Sequence, residues 1–177
     1  MPIPKLPQRL LLIGYRGTGK TTVAKLLANK TSSSWIDTDD EVTLRAGYSV
    51  EKIFKQEGEE AFRDRETTAL RGALKQSFSI IACGGGIVLR EENRQLLQSA
   101  GITVLLEASP KILAARLEQD HRTAVQRPRF TNLSLQKEIE TVIAERIALY
   151  HSCANLIINT ENKTAEQVAA EILSQSQ

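Results

Sequence analysis

The 177-residue sequence has only two cysteines, one tryptophan and five prolines, and it has no long apolar run. Each scarcity excludes something. Cys83 and Cys153 are too few and too far apart for a disulfide framework. Neither stands in a CxxC pair or near a histidine at ligand spacing, so a zinc site is not expected either. Two buried thiols in a reducing compartment fit the pattern. No segment approaches the roughly 20 apolar residues that span a bilayer. Met1 to Pro7, followed by the short run Leu10 to Ile13, does not read as a signal peptide. A cytoplasmic protein without a membrane partner is therefore expected. Lys and Arg number 23 against 21 Asp and Glu, a net charge of +2 with no dense basic stripe, so no nucleic-acid partner is expected. With 41% hydrophobic and 25% charged residues, the chain is neither disordered nor fibrous, and its length suits one domain with its own core.

What is present is an alternation. Apolar runs at Leu10 to Ile13, Trp35-Ile36, Ser79 to Cys83, Ile102 to Leu106 and Asn155 to Ile158 read as strands. Between them lie helical patterns: Lys20 to Ala28, Glu59 to Leu74, Glu91 to Ser99, Pro110 to about Leu117 and Ser134 to Tyr150. Thr164 opens a last helix reaching about Leu173. Strands separated by helices predict an α/β fold, a parallel sheet covered on both faces. One long segment, about residues 119–133, lacks periodicity. Loops of that length are usually functional or disordered.

Residues 14–21 read Gly-Tyr-Arg-Gly-Thr-Gly-Lys-Thr, which matches the phosphate-loop pattern GxxxxGK[ST] between a strand and a helix. Gly17, Thr18 and Gly19 let backbone N–H groups turn inward around phosphate oxygens. The helix after them points its positive end at the anion. Lys20 is placed to reach the β- and γ-phosphates, and the Thr21 hydroxyl to bind Mg²⁺. Thr22 completes the run, and ATP with Mg²⁺ is the expected nucleotide. Tyr15 and Arg16 fall at free positions of the pattern and are expected to be solvated. A guanine-specific enzyme is not indicated, because Asn29-Lys30 and Asn162-Lys163 both lack the aspartate of an NKxD element.

Further groups point to an anionic acceptor. Asp37 and Asp39 follow the second strand, at the end of a sheet where such folds bind ligands. On extended backbone they would point the same way; an acidic helix start is the plainer reading. Arg63 and Glu66 are three apart on one helical face, by default a solvated ion pair. Gly84, Gly85 and Gly86 follow a strand and open the backbone to close approach. Arg127 lies in the irregular segment and Arg146 on a helix. As a set, Arg63 and Arg146 suit a bidentate clamp on a carboxylate, and Asp39 suits substrate hydroxyls. A hydroxylated carboxylic acid is the expected acceptor.

These residues, in this order and spacing, resemble the shikimate kinase family over nearly the whole chain. The resemblance rests on Gly14 to Thr22, Asp37-Thr38-Asp39, Gly58-Glu59 with Phe62-Arg63 and Glu66, Gly84 to Gly86, Arg127-Pro128, and Arg146 with Leu149-Tyr150. It implies a three-layer α/β/α fold like that of nucleoside monophosphate kinases, with a five-stranded parallel sheet in the order 2-3-1-4-5. It implies phosphorylation of the shikimate 3-hydroxyl by ATP with Mg²⁺, toward chorismate and the aromatic amino acids. It implies one domain over 1–177, monomeric in the family's manner, with an acceptor-binding region at about 38–75 and a lid at about 119–133. By resemblance Asp39, Arg63, Gly85 and Arg146 hold shikimate, flanked by Gly84 and Gly86. Lys20 and Arg127 hold the transferring phosphoryl, Thr21 ligates Mg²⁺, and Asp37 supports the metal or helps deprotonate the hydroxyl. Arg116 or Arg122 stacks on adenine. The chain departs from the family at Arg129-Phe130, where two apolar residues are usual, and at Cys83. Other readings of the same pattern are a sugar-acid kinase of the gluconate type, a nucleoside monophosphate kinase, and a nucleotide-binding regulatory module without turnover.

Overall fold

The computed structural model describes residues 6, 8–76, 78–120 and 134–176. Arg122, Arg127, Pro128, Arg129 and Phe130, with most of the segment 119–133, lie outside them.

Five strands form one parallel sheet: β1 (Leu10–Ile13), β2 (Trp35–Asp37), β3 (Ile80–Ala82), β4 (Ile102–Glu107) and β5 (Leu156–Asn159). Their order is β2-β3-β1-β4-β5, as expected. β1 lies at the centre, and its four apolar residues are all fully buried. Successive side chains alternate faces. Leu10 and Leu12 therefore join one core cluster, and Leu11 and Ile13 another on the opposite face. Burial on both faces is why this strand is a continuous apolar run. Each such side chain contributes about 1.5–3 kcal/mol by leaving water.

The helices are α1 (Lys20–Thr31), α2 (Thr38–Ala46), α3 (Val50–Lys75), α4 (Glu91–Ala100), α5 (Pro110–Gln119), α6 (Leu135–Cys153) and α7 (Ala165–Gln175). α1 and α7 supply the first core cluster. α3, α4 and α6 supply the second. Ser134 caps α6 by accepting from Lys137 N. Thr164 and Gln167 form a reciprocal capping box on α7. None of the described helices is long and apolar enough to cross a membrane.

Two helical stretches were only partly legible in the sequence, the first through its acidic start alone. α2 buries only Thr38 and Val42, so it carries almost no apolar period. α3 begins nine residues before the expected Glu59. Its first part, from the Ser49 cap, is separated from the second by Gly58, whose φ of +86° and ψ of 175° interrupt the helix. Gly58 thus joins two helical parts across a sharp kink, and only the second part was read from sequence.

Candidate active site

The phosphate loop joins β1 to α1. Gly14 has φ +136°, and a Cβ there would lie 2.3 Å from the Leu106 carbonyl oxygen, so no other residue fits. Gly19, at φ +95°, occupies the cap position of α1, and no side chain caps that helix. The first amides of α1 are thus left to an outside partner, and an anion at that end is favoured by the helix dipole. The Thr18 hydroxyl donates to the Tyr15 carbonyl at 2.8 Å. Lys20 is buried, and its Nζ donates to the carbonyls of Gly14 and Tyr15 at 2.8 and 2.9 Å.

Asp37 ends β2 and caps α2. Its Oδ1 accepts from the amides of Asp39 and Asp40 at 2.9 and 3.4 Å. Its Oδ2 accepts from the Thr21 hydroxyl at 2.6 Å. Burial, and then the neighbouring Asp39 charge, push the Asp37 carboxyl above its ordinary value. Of the two readings of Asp37 and Asp39, the extended backbone is not found and the acidic helix start is. The chain turns into α2 at Thr38, because the Asp37 cap supplies what the first amides need. The two carboxylates nonetheless line one cavity of about 580 Å³ together with Gly19, Lys20, Thr21 and Gly85.

Around the three glycines the acceptor-side residues converge. A Cβ on Gly84 would stand 2.4 Å from Asp39 Oδ1 and 2.7 Å from Glu66 Oε1; one on Gly86 would stand 2.0 Å from Arg63 Nη1. The glycines therefore make room for the protein's own charged side chains, beyond any room for a ligand. The Gly84 amide donates to Thr38 Oγ1 at 2.9 Å. The Gly85 carbonyl accepts from Arg146 Nη1 at 3.2 Å and from the Tyr150 hydroxyl at 2.5 Å. Burial pushes the Tyr150 phenol up to about 12, so it stays a donor. Arg146 Nε is buried and has no hydrogen-bond partner among the described residues. Burial also drives the Cys83 thiol far above its ordinary value, which keeps it unreactive beside the glycines.

Two default readings are corrected. Arg63 and Glu66 are not a solvated pair: Nη1 donates to Glu66 Oε2 at 2.7 Å, and both residues are buried. The kink at Gly58 and the packing of Phe62 carry this face of α3 inward. Nor are Tyr15 and Arg16 solvated. Tyr15 is buried against α5 and α6, and Arg16 is ion-paired with Glu138 on α6. The free positions of a motif say nothing about what a particular chain builds there.

Of the residues expected at the site, Gly17, Gly19, Lys20, Thr21, Thr22, Asp37, Asp39 and Gly85 line the large cavity. Thr18 lines a smaller one of about 270 Å³ beside Tyr15 and Tyr150. Arg63, Gly84, Gly86 and Arg146 adjoin them through the contacts above. Arg127 lies outside the described residues. Thr38 and Tyr150 were not assigned from sequence, and Arg116 was one of two candidates for the adenine. It donates to the Gly17 carbonyl at 3.3 Å, to Thr160 Oγ1 at 2.9 Å and to the Thr160 carbonyl at 2.8 Å. It thus stands at the phosphate loop. A polar residue on the inner side of a helix, as Arg116 is on α5, was the available signal.

The fit to Mg²⁺ rests on the Thr21 hydroxyl and the Asp37 carboxylate. They are hard oxygen donors touching each other at the edge of the cavity. Among the described residues, no group of three or more His, Cys, Asp or Glu side chains is arranged to hold a metal.

The shikimate kinase family model matches residues 16–177. The chain is 43% identical over 167 residues to a shikimate kinase of Rhodopirellula baltica, covering 94% of this chain and 89% of that protein. It is 44% identical over 152 residues to shikimate kinase 2 of Photorhabdus laumondii, covering 86% of each. Among solved structures, shikimate kinase from Acinetobacter baumannii in complex with shikimate matches with a TM-score of 0.88 at 29% identity, over 95% of this chain and 92% of that one. A gluconokinase from Sinorhizobium meliloti matches with a TM-score of 0.57 at 18% identity, over 97% of this chain and 94% of that one. That last likeness concerns the fold alone.

Proposed function

The chain belongs to the shikimate kinase family, and from that membership we propose how its cleft transfers the γ-phosphoryl of ATP to the 3-hydroxyl of shikimate, giving shikimate 3-phosphate and ADP. One observation carries the reading. The phosphate loop and Asp39 open onto the same cavity, with Arg63 and Arg146 gathered at the glycine turn beside it.

Phosphoryl transfer asks the protein for positioning and charge compensation rather than covalent chemistry. The amides of residues 17–22 and Lys20 hold the phosphates. Arg116, anchored at Gly17 and Thr160, faces the base. Thr21 and Asp37 are the side chains that would hold Mg²⁺, directly or through water; bound there, the ion neutralises charge on the phosphate oxygens. Arg63 and Arg146 clamp the acceptor carboxylate, Asp39 accepts from ring hydroxyls, and the backbone of Gly84, Gly85 and Gly86 forms the floor. The acceptor hydroxyl is thereby presented to the γ-phosphorus, with Asp37 near enough to receive its proton. Arg127 is assigned to the developing charge, and the segment 119–133 to closing the cleft. We assign one domain across 1–177, with residues 38–75 as the acceptor region. We also assign a cytoplasmic monomer without membrane or nucleic-acid partners, to be checked by sedimentation.

The test is ADP release from ATP and Mg²⁺ with shikimate, gluconate, AMP or no acceptor, the product weighed by mass spectrometry. Release with shikimate alone is expected. Release with gluconate or AMP instead overturns the acceptor assignment and keeps the phosphate loop. ATP binding without release would favour a regulatory module.

Two variants probe the acceptor side. Arg146→Ala and Asp39→Asn are each expected to weaken shikimate binding at least tenfold, about 1.4 kcal/mol, with ATP affinity within threefold of the parent. Calorimetry showing undiminished shikimate binding in both overturns these roles.

Asp37→Asn separates stability from activity. Because the folded carboxyl is raised above the usual 3.8, its charged form is disfavoured in the fold. Stability from this group falls as pH rises from the usual value through the raised one, and the penalty persists above it. The ligand-free variant is thus expected to exceed the parent in stability at neutral pH, with the gain vanishing toward about pH 4. Turnover is expected to drop about 10–100-fold, as for residues supporting a metal. Urea unfolding at both pH values, with kcat, checks this; a variant less stable at neutral pH and equally active refutes it.

A further inference from the structure

The phosphate-loop pattern leaves positions 15 and 16 free, yet in this chain Tyr15 packs between α5 and α6, and Arg16, at the edge of the large cavity, pairs with α6. Tyr15 is buried among Leu113, Leu117 and Ile139. Arg16 lies across the Tyr15 ring, its guanidinium carbon 5.7 Å from the ring centre. Its Nη2 donates to Glu138 Oε1 at 3.1 Å. The side chains of Arg16 and Glu138 are 19% and 6% exposed. The pair is therefore drier than an ordinary surface bridge, and removing one partner leaves the other charge poorly solvated. Glu138 sits in the first turn of α6. A carboxylate there suits the helix dipole and has no need of a cation for that purpose.

The same helix carries Arg146 and Tyr150, which both donate to the Gly85 carbonyl. Gly85 abuts the phosphate loop: a Cβ there would meet Arg16 N at 3.5 Å and Gly14 O at 3.6 Å. α6 is thus fixed to the loop at two levels. One is the Arg16–Glu138 pair, and the other is Gly85. Glu138 and Arg146 are eight residues apart, about 12 Å along a stiff rod.

We propose that Arg16 is a positioning residue which, through Glu138, sets α6 against the phosphate loop so that nucleotide in the loop improves acceptor binding at Arg146. The inference rests on the reading given above, of the loop as the nucleotide site and Arg146 as part of the acceptor clamp. When phosphates bind, the loop backbone at Arg16 is held in one conformation. The ion pair passes that constraint to α6. Arg146 is then ordered before the acceptor arrives, and less freedom is lost on binding it. Linkage requires the converse as well, so shikimate tightens nucleotide by the same factor.

The test is calorimetry of shikimate binding to the full chain, with and without saturating ADP and Mg²⁺. It compares the parent, Arg16→Met, Glu138→Gln and the double variant. In the parent, ADP is expected to tighten shikimate at least about fivefold, the low end of ordinary coupling between sites. In either single variant the factor should fall below about twofold, and the double variant should match the singles, because one pair is removed whichever side is cut. Thermal unfolding of each variant is the check on folding, and affinity for ADP alone should stay within about threefold of the parent. Glu138→Gln keeps the side-chain shape and decides the matter if Arg16→Met folds poorly. Parent-like coupling in Glu138→Gln overturns the proposal. A loss confined to Arg16→Met makes Arg16 a direct ligand, and loss of ADP binding in that variant does the same; both overturn it. A parent factor of one also overturns it. A parent that binds no shikimate at all overturns the acceptor reading itself, and this inference with it.

Discussion

Lys20→Ala is expected to lower kcat by about 10³-fold or more, the scale of losing a cation from the transferring phosphoryl group. Lys20 is buried at the mouth of α1, and its Nζ donates to the carbonyls of Gly14 and Tyr15. The ammonium is therefore held inside the loop that the phosphates enter, at a fixed place before the reaction begins. A charge fixed in advance needs no reorganisation as negative charge develops, which is why its removal falls on turnover. The two loop carbonyls lose a donor, at a cost in stability of about 1–3 kcal/mol. Lys20→Met keeps most of the stem and should lose a similar amount of kcat. Measuring ADP release alongside ATP binding separates the outcomes. Near-parental kcat in both variants rules out the role. Loss of ATP binding alone, with kcat preserved at saturation, would make Lys20 a ground-state contact only.

The parts of this protein that were legible in its sequence share a physical feature: a local constraint. β1 announced itself because a strand buried on both faces has no room for polar residues. The phosphate loop did so because its glycines are required by positive φ and by a backbone neighbour at 2.3 Å from a would-be Cβ. What was missed, or read only at its start as α2 was, depends on distant partners. α2 carries one buried apolar residue, Val42, and its stability comes from the Asp37 cap and from packing on α3. Arg63 and Glu66 have the spacing of a solvent-facing pair, and only the kink at Gly58 and the neighbouring glycines turn them inward. Arg16 and Glu138 are separated by 122 residues, so nothing local could have joined them. The glycine triplet was read as space for a ligand. It is also space for Asp39, Glu66 and Arg63, a role visible only once those side chains are placed.

Glu66→Ala is expected to cost about 3–5 kcal/mol of stability, because it leaves the Arg63 charge buried without its close partner. Burial by itself disfavours the Arg63 charge, and the Glu66 and Glu59 carboxylates, Glu66 first, together more than offset this. Glu66 is nearly fully buried, whereas the other partner, Glu59, bonds Arg63 at 3.1 Å from a side chain that is 60% exposed. Glu59 is too well solvated to take over, so it moves the expected loss only toward the low end of the range. Glu66→Gln keeps an acceptor for Arg63 and should cost about 1–2 kcal/mol. The informative comparison is Arg63→Met/Glu66→Met. Removing both charges leaves neither member of the pair buried opposite a missing partner, and apolar replacement of a buried pair is often neutral or stabilising. The double variant is therefore expected to be within about 1 kcal/mol of the parent in urea unfolding, and yet to bind shikimate at least tenfold more weakly, about 1.4 kcal/mol. A double variant that is stable and still binds shikimate normally would remove Arg63 from the clamp. A Glu66→Ala loss below about 1 kcal/mol would show the pair to be solvated after all. Stability recovered while binding stays lost is the result that ties this buried pair to the acceptor, since burying two charges has little other use here.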